Sequence, residues 1–178
     1  MVYLFLADGF EDIEAVGTID ILRRAGITVN TVSISGTKKV ASAHGIEIMA
    51  DCLFSEINGL DAELLVLPGG AGHKKLAAFE PLNGLLREFD ANKKYIAAIC
   101  AAPSILGGLG ILDGKKAVCY PGFEGQLKGA VVLGGPVAVD GNIISSRGPG
   151  TVFLFALEIV KTLKGGEAYN EVKGGLLL

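Results

Sequence analysis

The stretch Tyr95-Ile96-Ala97-Ala98-Ile99-Cys100-Ala101-Ala102-Pro103 decides the fold of this 178-residue chain. Its first five residues form a continuous apolar run, which predicts a buried strand, and Pro103 suits the first turn of a helix. Cys100 therefore lies at a sharp strand-to-helix turn, as in a nucleophile elbow. The small Ala101 and Ala102 leave room for other backbone near the thiol, and the helix start is expected to favour the thiolate.

Other short apolar runs along the chain resemble the one before Cys100, and none of them alternates apolar with polar residues. Continuous runs indicate strands buried on both faces, as in a parallel sheet. Helical segments at 11–25 and 151–163 lie between or after them and end at glycines. The alternation predicts a three-layer α/β sandwich with a mostly parallel sheet, interrupted by a small antiparallel excursion within 37–58. The apolar runs are 2–7, 28–34, 63–67, 95–99 and 142–145.

The length and composition indicate one domain over residues 1–178. Half of the residues are apolar, which is enough for a full core without metals or disulfides. The net charge of −3 argues against a nucleic acid or an anionic membrane as partner. The uncharged stretch 95–112 imitates a membrane span, but Pro103 and three glycines interrupt it, so a buried strand and a short helix explain it better.

The three cysteines, Cys52, Cys100 and Cys119, form no CxxC pair and leave an odd thiol. This pattern suits a reducing compartment better than a disulfide scaffold, and it predicts a cytoplasmic location. The N-terminal apolar run has no basic leader and is interpreted as a first strand.

The candidate site lies where the carboxyl ends of the strands meet. In open α/β sheets, ligands bind outside these ends, so Asp8-Gly9, Pro68-Gly69-Gly70 and Cys100 should converge on one edge. The backbone N–H groups of Gly70 and Ala101 are candidates for an oxyanion hole. The alternative is that the glycines only turn the chain.

The acidic run Glu11-Asp12-Ile13-Glu14 begins the first helix. Acidic residues there complement the helix dipole and cap the helix end, and this alone accounts for two of the three. If Glu14 turns inward near Cys100, burial would raise its pKa and keep the carboxyl group protonated, able to donate a hydrogen bond to the sulfur.

Two histidines, His44 and His73, are too few for a multi-histidine metal site, and no metal or other cofactor is expected. His73 lies beside two lysines and is expected at the surface, while His44 is an accessory candidate for the site. Arg147, which precedes a helix start, is a candidate for contacting an anionic ligand or for bracing its loop.

Five motifs together resemble the DJ-1/ThiJ/PfpI superfamily, and their order matches from end to end in its DJ-1-like branch. The resemblance implies a flavodoxin-like fold, a homodimer and a cysteine that oxidises readily to sulfinate. By position it makes Cys100 the nucleophile or sensor, Glu14 its protonated partner, and Gly70 and Ala101 the backbone donors. The motifs are Glu11-Asp12-Ile13-Glu14-Ala15, Arg23-Arg24-Ala25-Gly26-Ile27, Leu67-Pro68-Gly69-Gly70, the segment 97–103 and Ser146-Arg147-Gly148-Pro149-Gly150-Thr151.

The resemblance also implies an activity. Members of the superfamily have been assigned glutathione-independent glyoxalase and deglycase activities, with a small carbonyl compound or a glycated protein as substrate, and others act as redox-linked chaperones. Proteases of the PfpI branch have a histidine directly after the cysteine, where this chain has Ala101, so peptidase activity is not expected. Around 129–132 the chain also lacks the histidine that faces the cysteine in relatives, and Tyr120 replaces a second one.

Three functions follow from these observations. The first is an enzyme in which Cys100 attacks an aldehyde and Glu14 moves the proton, with His44 or Tyr120 as further candidates for the general base. The second is a redox sensor or chaperone, in which oxidation of Cys100 is the signal. The third is a flavin- or nucleotide-binding module, which ranks last because no phosphate-binding fingerprint is complete.

Overall fold

A seven-stranded sheet organises the computed structural model, which describes residues 1–178. The strands are β1 (Val2–Leu6), β2 (Val29–Ser33), β3 (Lys39–Ala41), β4 (Glu47–Met49), β5 (Cys52–Leu53), β6 (Leu64–Leu67), β7 (Tyr95–Ile99), β8 (Lys116–Ala117), β9 (Val131–Val132), β10 (Val137–Asp140) and β11 (Ile143–Ser146). The helices are α1 (Asp12–Arg24), α2 (His73–Ala78), α3 (Glu80–Ala91), α4 (Pro103–Gly108) and α5 (Val152–Gly175).

The strand order of the main sheet is β10-β11-β7-β6-β1-β2-β5, and every pair is parallel except β10 with β11. The five longer parallel strands, numbered along the chain, stand in the order 2-1-3-4-5 of flavodoxin-like sheets. The predicted parallel sheet is confirmed, and each of its five apolar runs forms a strand. The antiparallel excursion is also confirmed, because β3 pairs with β4 as a hairpin.

Two apolar layers cover the faces of the sheet, because successive strand residues point to opposite sides. On one face, Leu4 and Val66 pack with residues of α1 and α5. On the other, Phe5 and Leu65 pack with residues of α3 and α4. The three-layer α/β sandwich predicted from the alternation of elements is therefore present.

The helix α3 was not predicted, although its pattern is visible in the sequence. The buried residues Leu82, Leu85, Leu86 and Phe89 recur at the spacing of one helix face. The last helix was predicted to end at Gly165 and Gly166, whereas α5 extends to Gly175. The break itself is present, because Gly165 adopts φ +87° and separates two helical segments.

The start of α1 lies at the carboxyl end of β1, next to the β6 loop. The N–H group of Gly72 donates to Gly9 O at 2.8 Å, and that of Glu11 donates to Gly69 O at 3.2 Å. These bonds confirm that Asp8-Gly9 and Pro68-Gly69-Gly70 converge on one edge of the sheet. None of the helices is both long enough and apolar enough to cross a bilayer.

Candidate active site

Cys100 lies in a strained turn between β7 and α4. Its φ of +66° is in the left-handed region, which costs a non-glycine residue about 1–2 kcal/mol. Two backbone hydrogen bonds hold it there: its N–H donates to Ser146 O at 2.9 Å, and its carbonyl accepts from the Tyr120 N–H at 2.8 Å. The neighbouring elements thus fix the thiol, and the predicted elbow is confirmed.

The carboxyl group of Glu14 is fully buried beside this thiol. It accepts a hydrogen bond from the Gly69 N–H at 2.7 Å through Oε2, and this oxygen and the Cys100 sulfur lie on the same side of Gly69, while Oε1 has no hydrogen-bond partner. The N–H of Glu14 donates at 2.7 Å to the carboxylate of Glu11, the N-cap of α1. The capping role expected of the acidic run therefore belongs to Glu11, and Glu14 turns inward.

Gly69 makes the approach of these two side chains sterically feasible. A Cβ atom on Gly69 would lie 2.6 Å from Cys100 Cβ and 2.7 Å from Glu14 Oε2. These distances are too short for any real side chain, so only glycine allows the thiol and the carboxyl group to meet here. The Pro-Gly-Gly sequence was the signal for such a close approach.

Both titratable groups are shifted in the same direction. Burial raises the pKa of Glu14 to about 7, against the opposing effects of the Gly69 N–H and of Cys100. Burial, followed by the negative charge of Glu14, raises the pKa of Cys100 to about 12. The N–H groups of Gly70 and Ala101 lower the Cys100 pKa, but by less.

The expectation that the turn favours the thiolate is wrong while Glu14 is ionised. The helix that follows has only six residues, and its first residue, Pro103, has no N–H group to contribute. Desolvation and repulsion by the carboxylate outweigh this weak dipole. Between about pH 7 and pH 12 the pair therefore carries one negative charge and one proton.

The N–H groups of Gly70 and Ala101 lie near the Cys100 sulfur, where both lower the pKa of the thiol. Neither of them donates to another backbone group. Gly70 has φ +77°, and a Cβ atom there would lie 2.6 Å from Glu11 N, so glycine is required at this position as well. The geometry fits an oxyanion hole beside the nucleophile.

Tyr120 and Arg147 line a small cavity of about 260 Å³ at one side of this pair. A Cβ atom on Gly148, in the same wall, would lie 3.1 Å from the Tyr120 ring and 4.0 Å from Glu14 Oε1. Gly148 therefore lies between the cavity and the Glu14 carboxyl group, and neither Glu14 nor Cys100 lines the cavity itself. The roles of Tyr120 and Arg147 remain predictions.

The two histidines occupy positions that the sequence did not indicate. His44 is exposed, and its Nδ1 lies 2.6 Å from Asp12 Oδ2, a contact that raises the His44 pKa. His73 is buried rather than at the surface, because its Nδ1 donates to Gly70 O at 2.7 Å and its ring packs edge-on against Phe123. The position of His73, three residues after Gly70, was the sequence signal that could have indicated this contact.

The residues that could hold a metal ion are Glu11, Asp12 and His44. Each offers one ligand atom, and these atoms lie within 4.8 Å of one another. Two carboxylates and one imidazole fall short of the four protein ligands of a structural zinc site. The Asp12 carboxylate is already hydrogen-bonded to His44, and that of Glu11 accepts from the Glu14 N–H.

The sequence profile of the DJ-1/PfpI family matches residues 1–162. DJ-1 homolog B of Arabidopsis thaliana is 40% identical over 176 residues, which cover 97% of this chain and 40% of that protein. The chain thus spans less than half the length of this plant relative. The solved structure titled "Toxoplasma gondii DJ-1, oxidized" has a TM-score of 0.94 and 35% identity, and the match covers 99% of this chain and 97% of that one.

Two further relatives have names that state an activity. A protein of Caenorhabditis elegans named as a glutathione-independent glyoxalase is 34% identical, over 94% of this chain and 90% of its own length. A protein of Pyrococcus horikoshii named as a deglycase is 34% identical, over 92% of this chain and its full length. The similarity extends over nearly all of the sheet and helices described above.

Replacing the buried carboxyl group by an amide should stabilise the protein at alkaline pH. The pKa of Glu14 is raised from 4.5 to about 7 on folding, so between these values only the unfolded state ionises, and wild-type stability falls as the pH rises. We expect Glu14→Gln to exceed the wild type by about 3 kcal/mol at pH 8 and to approach it near pH 4.5, measured by urea unfolding. The matched control is Glu88→Gln, an exposed position on α3, which should change little at either pH. A Glu14→Gln protein less stable than the wild type at pH 8 would contradict the raised pKa.

Proposed function

The chain belongs to the DJ-1/PfpI family, and we propose that it is a glutathione-independent enzyme acting on small carbonyl compounds, of glyoxalase or deglycase type, with Cys100 as nucleophile. The observation that carries the proposal is the fixed thiol of Cys100, which contacts a buried carboxyl group and faces two free N–H donors. The names of the nematode and archaeal relatives support the same reaction class. The proposed substrate is methylglyoxal or a glycated group on a protein.

In the first step, Sγ of Cys100 attacks the aldehyde carbon of methylglyoxal. A sulfur–carbon bond forms, the electron pair of the C=O bond moves to oxygen, and the thiol proton passes to the Glu14 carboxylate. The N–H groups of Gly70 and Ala101 stabilise the oxyanion. Protonation of that oxygen by Glu14 gives a hemithioacetal and restores the carboxylate.

The second step moves a proton between adjacent carbon atoms. Glu14 removes the proton from the former aldehyde carbon and delivers it to the neighbouring ketone carbon, and the hydroxyl proton of the hemithioacetal passes to the former ketone oxygen, which yields a lactoyl thioester on Cys100. Water then hydrolyses the thioester to lactate and frees the thiol. Tyr120, whose ring packs against Gly148 next to Glu14, is the next candidate for proton transfer, whereas the Nδ1 of His44 is already engaged by Asp12.

Lactate formation from methylglyoxal tests the proposal. We expect turnover by the wild type, its loss in Cys100→Ser, and its retention in the matched control Cys119→Ser. Since the pair must lose one proton to react, kcat/KM should rise about tenfold per pH unit below about pH 7 and then level off. Glu14→Gln should lose both the activity and this rise. Equal turnover by the wild type and Cys100→Ser would refute the role of Cys100 as nucleophile.

Redox sensing is the second candidate function. The two N–H groups and a protonated Glu14 would donate to the oxygen atoms of an oxidised Cys100, and a solved relative is described as oxidised. The raised pKa of Cys100 weighs against it, because the thiolate is the form that peroxide oxidises.

Mild peroxide treatment followed by mass spectrometry tests this candidate. Sensing requires sulfinate formation at Cys100 before Cys52 and Cys119, and its loss in Glu14→Leu, which cannot donate a hydrogen bond to the sulfinate. Equal oxidation of all three thiols would count against sensing and leave the enzyme hypothesis as the better account.

We also propose that the chain forms a homodimer through α1. Ile13 and Val16 are about half exposed on this helix. The β3–β4 hairpin lies against the start of α1, where the Ala43 N–H donates to Phe10 O, and it adds the exposed Ile46. An exposed apolar surface of this kind suits a second copy of the chain.

Measurement of the oligomeric state tests whether this surface forms the dimer interface. We expect the wild type to have twice the monomer mass by light scattering, and Val16→Glu to have the monomer mass because the charge would be buried in the interface. Val139→Glu is the matched control, since Val139 is equally exposed on β10 but lies away from α1. A wild-type monomer would refute the dimer.

A cytoplasmic location is also proposed, supported by the odd number of cysteines.

A further inference from the structure

Gly70 and Ala101, whose N–H groups lie near the Cys100 sulfur, also share a feature at their carbonyl ends. The carbonyl oxygen of Gly70 accepts a hydrogen bond from His73 Nδ1 at 2.7 Å. The carbonyl oxygen of Ala101 accepts one from Ser104 Oγ at 2.6 Å. The backbone N–H groups of His73 and Ser104 donate to the same two oxygen atoms, at 3.2 Å and 3.1 Å. Each carbonyl group is therefore held by a residue three positions later in the chain, and the side chain makes the shorter bond.

Gly70 depends on such bonds because it has no side chain to fix its conformation. It has φ +77° and follows another glycine, and glycine has more backbone freedom than any other residue. On the preceding side, Gly69 O accepts from the Glu11 N–H at 3.2 Å. Because the peptide bond between the two glycines is trans, the Gly70 N–H points away from Glu11. The carbonyl groups on both sides of this N–H are thus held, and the bond from His73 is the shortest of those that hold them.

The His73 ring is itself fixed in one orientation. The residue is 8% exposed, and its ring packs edge-on against Phe123, with the ring centroids 5.4 Å apart. Because a carbonyl oxygen can only accept, the His73 Nδ1 carries a proton in this contact. A buried ring that packing holds in place positions the Gly70 carbonyl more firmly than a mobile surface side chain would.

Ser104 has the same relation to Ala101 in the loop after β7. On the preceding side, Cys100 O accepts from the Tyr120 N–H at 2.8 Å, so the Ala101 N–H of the same trans peptide points away from Tyr120. On the following side, Ser104 Oγ holds the Ala101 carbonyl. The helix α4 has only six residues, too few to be stable through its own backbone bonds. The bond from Ser104 therefore adds to the order of a turn that is weakly held by the helix alone.

We propose that His73 and Ser104 are positioning residues for the reaction at Cys100, each holding one N–H donor of the oxyanion hole in place. Both line a separate cavity of about 820 Å³ between α2, α3 and α4, which Cys100 does not line. Their effect on the reaction therefore passes through the backbone of Gly70 and Ala101. The inference rests on the proposed function, because it requires an oxyanion to form beside the thiol.

The expected kinetic effect follows from when the oxyanion forms. Removal of one oxyanion-hole donor typically costs roughly 10²–10³ in kcat, and a donor that is displaced rather than removed should cost less. Substrate that is bound but has not yet reacted carries no oxyanion, so its binding should not depend on these bonds. The loss should therefore appear in kcat and not in KM.

Steady-state kinetics with methylglyoxal test the positioning role. We expect His73→Leu to lower kcat about tenfold or more and to leave KM within about twofold of the wild type. His73→Asn should restore most of the loss, because the asparagine Nδ2 can donate in place of the histidine Nδ1. Ser104→Ala should likewise lower kcat, and Ser104→Thr should restore it, because a threonine hydroxyl in a helix can bond an earlier carbonyl. The matched control is Lys74→Met, an exposed position next to His73 in the same cavity wall, which should react like the wild type.

Alkylation of Cys100 by iodoacetamide gives a second readout that does not require turnover. The N–H groups of Gly70 and Ala101 lower the pKa of this thiol, so their displacement should raise the pKa and leave less thiolate at a fixed pH. At about pH 9 we expect His73→Leu and Ser104→Ala to be alkylated at Cys100 at least about threefold more slowly than the wild type, measured by mass spectrometry. The asparagine and threonine variants should react at nearly the wild-type rate.

The two readouts separate this inference from the proposed function. No turnover by the wild type, together with the expected alkylation rates, would refute the proposed substrate and support the positioning role. Three results would each overturn the positioning role. They are wild-type alkylation rates in both His73→Leu and Ser104→Ala, no rescue by His73→Asn and Ser104→Thr, or a change in KM in place of kcat.

Discussion

The hydrogen bond between the buried Glu14 carboxyl group and the Gly69 N–H is the interaction on which the site depends. It joins the first turn of α1 to the loop after β6 and places the carboxyl group against the thiol that follows β7. Three segments distant in sequence therefore meet at one point. The fold supplies the burial that keeps one proton shared between Glu14 and Cys100, and this shared proton is what both proposed functions use.

Much of this arrangement could be predicted from the sequence. Continuous apolar runs specified the parallel strands, since only strands covered on both faces have such runs. The change from an apolar strand ending at Ile99 to a helix beginning at Pro103 located the elbow. The Pro-Gly-Gly sequence indicated a close approach of backbone to the Cys100 thiol. The convergence of these segments then followed from the rule that the carboxyl ends of parallel strands share one edge.

Other features could not be predicted because they depend on tertiary neighbours. The thiol pKa depends on the degree of burial and on a carboxylate 86 positions earlier in the chain, and neither is visible near Cys100 itself. His73, next to two lysines, looked like a surface residue, yet a bond to Gly70 and contact with Phe123 bury it. The helix α3 is a different case, because the helical spacing of its buried residues is visible in the sequence.

The register of the central strands limits which insertions the candidate site can accept. Leu67 of β6 pairs with Ala98 of β7, and the two N–H donors, Gly70 and Ala101, each lie three residues beyond this pair. The distance between these two N–H groups is thus set by the spacing between two neighbouring strands, about 4.8 Å, rather than by a flexible loop. Loops usually accept insertions, but one added residue in either of these would move one donor by about 3.3 Å and turn it away from the sulfur. The chemistry therefore constrains the length of these two turns as well as the glycines in the first of them.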